Sequence, residues 1–193
     1  PNDDHRVVKA FTSEDLPSTR IVLAAFGISG QGFGHPYLTV DPTGKFLYQA
    51  LSPYAGGYGE TASAGIAKID LETGKIDFIW GLGEEGNPIG IAHTADGKFT
   101  YVNDGHGSKT YKIDNATNKK VGKVSAGVAG PYGIALNWDE TELYTVGKGE
   151  GSHNTGGVVG LIDTKIFVPS QAINQPINIG GSILDHAILH PDP

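Results

Sequence analysis

The sequence contains no cysteine and no methionine. The absence of cysteine excludes disulfide bonds, thiolate metal ligands and a cysteine nucleophile. A chain without cysteine is consistent with export, so we expect a periplasmic or extracellular protein. Because the chain begins with "PNDD" and not with methionine, we also expect a processed or excised polypeptide.

Positive charge and long apolar segments are also scarce. The chain has 14 basic and 21 acidic residues, a formal net charge of −7, and no run of five basic residues. Nucleic acid and anionic lipid are therefore poor partners for it. No apolar segment approaches the roughly 20 residues that a membrane-spanning helix requires, so we predict no membrane span.

Glycine, in contrast, is abundant at 29 of 193 residues, and it separates short apolar runs, as is typical of tight turns between strands. These runs repeat along the chain. The stretch "AGIAKIDLETGKIDFIW" (64–80) resembles "KTYKIDNATNKKVGKVS" (109–125), and each follows a predicted hairpin whose second strand carries a tyrosine. Tyr48, Tyr101 and Tyr144 mark three such units, 53 and 43 residues apart. These spacings are close to the ~40–50 residues of a four-stranded propeller blade.

The repeat predicts an all-β protein, a β-propeller of four-stranded antiparallel blades whose strands A to D follow chain order. Residues 34–85, 86–128 and 129–180 are predicted to form three blades, residues 1–33 strands C and D of an earlier blade, and residues 181–193 the first strand of the next. An open ring would expose an apolar blade face and unpaired strand edges. We therefore expect an incomplete piece of a larger propeller, about four blades' worth, whose remainder or a second polypeptide completes the ring. The alternative is a closed ring of four blades.

Single residues mark the predicted turns. The second members of three Ile-Asp pairs are predicted to cap the turns between strands C and D by accepting backbone N–H bonds: Asp70, Asp114 and Asp163. In the third blade, Glu140 replaces the glycine of the turn between strands A and B. No strand D pattern stands out there in residues 165–181.

Three large or polar side chains are predicted to lie in the interior. Trp80 and Trp138 are expected to pack between blades. His93 replaces an apolar residue of strand A, and a histidine in such a position usually bonds a backbone carbonyl.

Four of the seven histidines fall at one end of the predicted blades, where strands A start and the loops between strands B and C lie. We call this the mouth end. Imidazole is the commonest protein ligand for copper and zinc, and a ring of such groups from successive blades would hold a metal at the axis. The candidate metal ligands are His35, His106, His153 and His186, with Asp104 and Glu150 as further ligands or as acceptors that orient the imidazoles. The alternative is that these residues have ordinary surface and packing roles.

Tyrosines at the same end are candidates for contact with a substrate. Tyr54 and Tyr58 lie in the long loop "SPYAGGYGETASAG" (52–65), and Tyr37 lies at the start of a strand A. Long loops often carry function, and this one could cover the central funnel. A surface elaboration or a contact with a partner subunit is the alternative.

These units resemble the YVTN-type repeat β-propellers, a WD40-like superfamily. The resemblance is carried by "TVDPTGKFLY" (39–48), "IAHTADGKFTY" (91–101), "YVND" (101–104) and "KIDNATNKKVGKV" (112–124). The superfamily includes surface-layer repeats, lactonase-like enzymes, haem-binding nitrite reductase propellers, and the copper propellers of nitrous oxide reductase and thiocyanate dehydrogenase.

The resemblance implies three classes of function. The first is a metal-dependent oxidoreductase with copper, or alternatively haem, at the mouth end. The second is a non-catalytic scaffold or binding module for a protein or glycan partner, without a cofactor. The third is a lactonase-like hydrolase that uses carboxylates and a divalent ion such as calcium. The histidines favour the redox class over the hydrolase.

Overall fold

The computed structural model describes residues 6–8, 20–22, 38–51, 65–82, 88–147, 158–169 and 177–178. These residues form fifteen β-strands joined by turns, and they include no helix. Accordingly, no helix in these segments is long and apolar enough to cross a membrane.

Two sheets form the first part of the fold. Strands β1 (Arg6–Val8) and β2 (Arg20–Val22) pair antiparallel as a two-stranded sheet. The first four-stranded sheet contains β3 (Leu38–Val40), β4 (Phe46–Leu51), β5 (Gly65–Asp70) and β6 (Ile76–Trp80), in chain order. All neighbours in this sheet are antiparallel.

The second four-stranded sheet repeats this arrangement. It contains β7 (Pro88–His93), β8 (Phe99–Asp104), β9 (Lys109–Asp114) and β10 (Lys119–Ser125). Its strands are also antiparallel neighbours in chain order.

The third sheet departs from the pattern in its outermost strand. It contains β11 (Pro131–Leu136), β12 (Glu142–Gly147), β13 (Val158–Asp163), β14 (Val168–Pro169) and β15 (Ile177–Asn178). Both short strands pair with β13, β14 at Ile162 and Asp163 and β15 at Val158 and Val159. The fourth strand is thus split in two. Pro169 has no N–H to donate to a continuous ladder, and the two short strands produce no alternating pattern in residues 165–181.

The order and direction of these strands confirm the predicted fold class, a β-propeller of four-stranded antiparallel blades. The blade boundaries along the chain stay a prediction.

The core lies between neighbouring sheets because successive side chains of a strand point to opposite faces. Tyr48 and Ile66 of the first sheet pack against Val102 and Ile113 of the second. Tyr101, the neighbour of Val102 in β8, instead packs against the third sheet, on Ile134, Leu143 and Ile162. The second sheet therefore buries both of its faces.

The turns between strands A and B require a left-handed backbone at one position. Gly44 and Gly97 occupy it with φ of 70° and 68°, and Glu140 adopts the same conformation with φ of 58°. A left-handed conformation at a residue with a side chain costs of order 1 kcal/mol. The Glu140 carboxylate offsets this cost by accepting the backbone N–H of Ala95 from the second sheet.

The predicted aspartate caps are confirmed. Asp70 Oδ1 accepts the N–H groups of Glu72 and Thr73 at 3.0 and 2.8 Å. Equivalent bonds join Asp114 to Ala116 and Thr117, and Asp163 to Lys165 and Ile166.

The prediction for Trp138 was wrong. Its side chain is 82% exposed, because it lies at the tip of the turn between β11 and β12, outside the faces that the sheets bury. The side chain of Trp80 lies outside the described residues.

Candidate functional site

Only two of the predicted site residues lie within the described segments, Asp104 and His106. The others lie outside them: His35, Tyr37, Tyr54, Tyr58, Glu150, His153 and His186. Whether these residues meet at the mouth end therefore stays a prediction.

Asp104 is placed at the mouth end by the pairing of its strand. It is the last residue of β8, and it opposes Pro88 at the start of β7 and Lys109 at the start of β9. Its side chain is 0% exposed. The Oδ1 atom accepts the backbone N–H groups of His106 and Gly107, both at 3.1 Å.

The turn between β8 and β9 is shaped around this carboxylate. A Cβ atom on Gly107 would lie 2.4 Å from Asp104 Oδ2, so any other residue there would displace the carboxylate. Ser108 completes the turn with a φ of 50°. His106, partly buried, lies in the same turn, as predicted for the loop between strands B and C.

The second carboxylate oxygen of Asp104 is the atom of this site that could bind a ligand. Oδ2 of Asp104 is buried and has no hydrogen-bond partner among the described residues. A buried carboxylate oxygen without a donor or cation is costly, and each such atom in a native protein calls for an explanation. The position is therefore suited to a cation or to a ligand that donates a hydrogen bond.

Next to Asp104, a buried polar pair fixes the second sheet to the third, a feature that the sequence did not predict. Asn103 Nδ2 donates to the carbonyl of Gly133 at 2.9 Å, and Thr110 Oγ1 donates to Asn103 Oδ1 at 2.8 Å. The strand end that carries Asp104 is thus anchored to the start of β11. Over the part of the chain that the structure describes, no group of three or more His, Asp or Glu residues could hold a metal.

His93 lies at the other end of β7 and does not belong to this site. We expected His93 to bond a backbone carbonyl, but its Nδ1 instead lies 2.9 Å from the side-chain hydroxyl of Thr100. Its ring packs against Tyr48 of the first sheet, with centroids 4.6 Å apart. Burial lowers the pKa of His93 to about 4 and raises the pKa of Tyr48 to about 12. The ring is therefore neutral near pH 7.

Two lysines bridge neighbouring sheets. Lys68 Nζ donates to the carbonyl of Asn115 at 2.9 Å and lies 4.4 Å from the centroid of the Phe46 ring. Lys112 occupies the equivalent position in the second sheet, 4.2 Å from the Phe99 ring centroid. Burial lowers the pKa of both ammonium groups. The sequence holds a signal for this contact, a lysine two residues before the aspartate in both "GIAKID" and "KTYKID".

No protein-family model and no curated protein matches the chain. Among solved structures, the chain is similar to hydrazine synthase from Kuenenia stuttgartiensis, with 18% identity and a TM-score of 0.62, over 82% of this chain and 40% of that one. It is also similar to the dihydro-heme d1 dehydrogenase NirN in complex with DHE, with 13% identity and a TM-score of 0.58, over 92% of this chain and 34% of that one.

The chain thus spans well under half the length of either structure. Identities this low establish the fold alone, and the narrower YVTN-type assignment stays a prediction. Both structures are β-propellers. Together with the antiparallel sheets and the packing between neighbouring sheets described above, these similarities show that the chain is an incomplete β-propeller.

Proposed function

We propose that the chain is the propeller of an extracytoplasmic oxidoreductase that depends on a metal, and that the mouth end around Asp104 holds the metal or the substrate. The observation that carries the proposal is the buried Oδ2 of Asp104, which lacks a partner among the described residues. A carboxylate oxygen kept out of water without a donor is stabilised by a bound cation or a donating ligand.

The residues present fit a metal in part. Asp104 offers a fixed carboxylate oxygen, and His106 offers an imidazole in the same turn. Copper prefers imidazole ligands and a coordination number of about four, so further ligands are required. The sequence assigns these to His35, His153 and His186, with Glu150 beside them. A bound copper ion would supply one-electron chemistry, while Asp104 would neutralise its charge and fix its position.

Haem is the alternative cofactor. One of the similar structures is named as a dihydro-heme d1 dehydrogenase, and histidines at the mouth end would bind the iron of a haem and support redox chemistry there. Tyr37, Tyr54 and Tyr58 are then candidates for contacts with the substrate or the cofactor.

The test compares metal content in the wild-type protein, Asp104→Asn and Asp139→Asn. Asp104→Asn keeps the Oδ1 acceptor and removes the charge, whereas Asp139 caps a turn at the opposite end, where its Oδ1 accepts the Thr141 N–H. We expect near-stoichiometric copper, or iron with haem absorbance, in the wild type and in Asp139→Asn. We expect affinity reduced about 10- to 100-fold in Asp104→Asn. Equal metal binding by both variants would refute the role of Asp104.

A scaffold function is the second candidate, and exposed apolar side chains favour it. Trp138 and Ile166 are both exposed, and they lie on neighbouring turns joined by the bond from Thr164 N–H to the Thr141 carbonyl. Exposed apolar groups of this kind often mark contacts with a partner. Folded protein without any metal would favour this candidate over the oxidoreductase. Calcium as the only bound metal would instead favour a lactonase-like hydrolase.

A further inference from the structure

The innermost strand of the first sheet exposes two apolar side chains on one face. Leu38 and Val40 of β3 are 52% and 50% exposed. On the same face of this sheet, Leu47, Ala67 and Ile69 are buried. The exposure is thus confined to the strand at the inner edge of the sheet.

The register identifies what this face corresponds to in the next sheet. In the first sheet, Leu38 opposes Gln49 and Val40 opposes Leu47. In the second sheet, Ile91 opposes Val102 and His93 opposes Thr100. Leu38 is therefore equivalent to Ile91, and Val40 is equivalent to His93.

In the second sheet, the equivalent positions are covered by the preceding sheet. Ile91 packs on the cluster that Tyr48, Ile66 and Ile79 of the first sheet form with the second. The His93 ring lies 4.6 Å from the ring of Tyr48. The same kind of contact recurs between the second and third sheets, where Tyr101 packs on Ile134 and Leu136. Leu38 and Val40 thus belong to a surface that binds the inner strands of a preceding blade.

We infer that Leu38 and Val40 are covered in the native assembly by strands A and B of a preceding blade, supplied by polypeptide outside these 193 residues. The occupant is an antiparallel hairpin whose second strand carries an aromatic ring over Val40, as β4 places Tyr48 over His93. The repeat assigns β1 and β2 to strands C and D of that blade. Strands A and B, the inner strands of the same blade, are therefore still needed to cover this face. The chain covers only 40% and 34% of the similar propellers, which have room for such a blade.

The test distinguishes this hairpin from two other occupants. Residues 183–193 resemble a strand A, and they could cover the face within the same chain. A second copy of the chain could also cover it through its own exposed face.

The absence of cysteine makes single-cysteine labelling specific. Val40→Cys is compared with Val121→Cys, a matched control because Val121 in β10 is 55% exposed. Both variants are produced in the natural host and purified as the native assembly, and circular dichroism establishes that each is folded. We expect a maleimide to react at least tenfold more slowly with Cys at position 40 than at position 121 in the assembly, and at similar rates in the isolated 193-residue chain.

Equal rates in the native assembly would overturn the inference, since the face would then be open. The occupant is identified by attaching a photoreactive maleimide to position 40 and sequencing the cross-linked peptide. We expect a peptide from outside this chain that contains an aromatic residue in an alternating strand pattern. Cross-links to residues 183–193 or to a second copy of the chain would overturn the inference. A Leu38→Cys variant provides an independent position, and neither result depends on metal content.

Discussion

We expect acidification to destabilise this protein through His93, a partly buried side chain whose Nε2 atom is enclosed. Its Nδ1 lies 2.9 Å from the Thr100 hydroxyl, and that hydroxyl donates its single proton to Asn115 Oδ1 at 2.7 Å. The amide of Asn115 is oriented by its own bond from Nδ2 to the Gly97 carbonyl. Nδ1 of His93 must therefore carry the proton. The remaining nitrogen, Nε2, is buried and has no hydrogen-bond partner among the described residues.

The magnitude follows from the pKa of the imidazole. Burial lowers the pKa of His93 from 6.5 to about 4, because a protonated ring would place a charge and an N–H donor at Nε2 without water. Each pKa unit corresponds to ~1.4 kcal/mol, so the full effect on the free energy of unfolding is about 3 kcal/mol. The unfolded chain takes up the proton first as the pH falls. The contribution of His93 to the free energy of unfolding is therefore complete above pH 6.5 and is lost as the pH falls towards about 4. Below that value it changes no further.

The assay is urea unfolding, followed by circular dichroism, at several pH values from about 7 to about 4. The control is His93→Leu, because Leu136 occupies the equivalent position of β11 in the third sheet. We expect the wild-type free energy of unfolding to fall by about 3 kcal/mol more than that of the variant over this range. Parallel curves for the two proteins, or an NMR titration of the His93 ring with its midpoint near 6.5, would refute the reasoning.

Three further predictions concern contacts of the second sheet. In Gly122→Ala the new Cβ would lie 2.8 Å from a ring carbon of Phe167, so we expect a loss of about 1–3 kcal/mol by thermal unfolding, and almost none in a Phe167→Ala background. Lys112→Met keeps the apolar stem but loses the cation 4.2 Å from the Phe99 ring, which should lower stability by about 1 kcal/mol; an unchanged urea midpoint would contradict this contact. Asp114→Ala removes two N–H bonds at 3.0 and 2.8 Å and should lower the midpoint of urea unfolding, whereas Asp114→Asn should keep a midpoint close to that of the wild type.

The strands and turns were predictable because their signals lie within a few residues of one another. The alternation around Tyr48 and Tyr101 predicted strand B of the first two sheets, and the Ile-Asp pairs predicted the capped turns. The prediction for Trp138 was wrong because a large apolar side chain is usually buried, whereas this one lies at the tip of a turn. The split strand of the third sheet was missed because neither β14 nor β15 is long enough for a two-residue period to be visible.

The candidate site was less predictable than the fold. The register placed His106 correctly in the turn between strands B and C, next to Asp104 at the end of strand B, because that assignment depends only on counting from strand to strand. It did not predict that Asp104 is fully buried, or that Gly107 closes the turn around its carboxylate. Burial depends on how the neighbouring sheet packs, which composition and spacing do not encode.

By itself, the amino-acid sequence determined the local order of this protein: the alternating strands, the aspartate-capped turns and the repeat that arranges them as blades. These features depend on backbone geometry and on side chains close along the chain. The tertiary structure decided which polar groups are enclosed and what they contact. Lys68 reaches a carbonyl 47 residues away, and Glu140 reaches the N–H of Ala95 45 residues away. The His93 ring is largely shielded from water because it packs between sheets, with Tyr48 of another sheet over it.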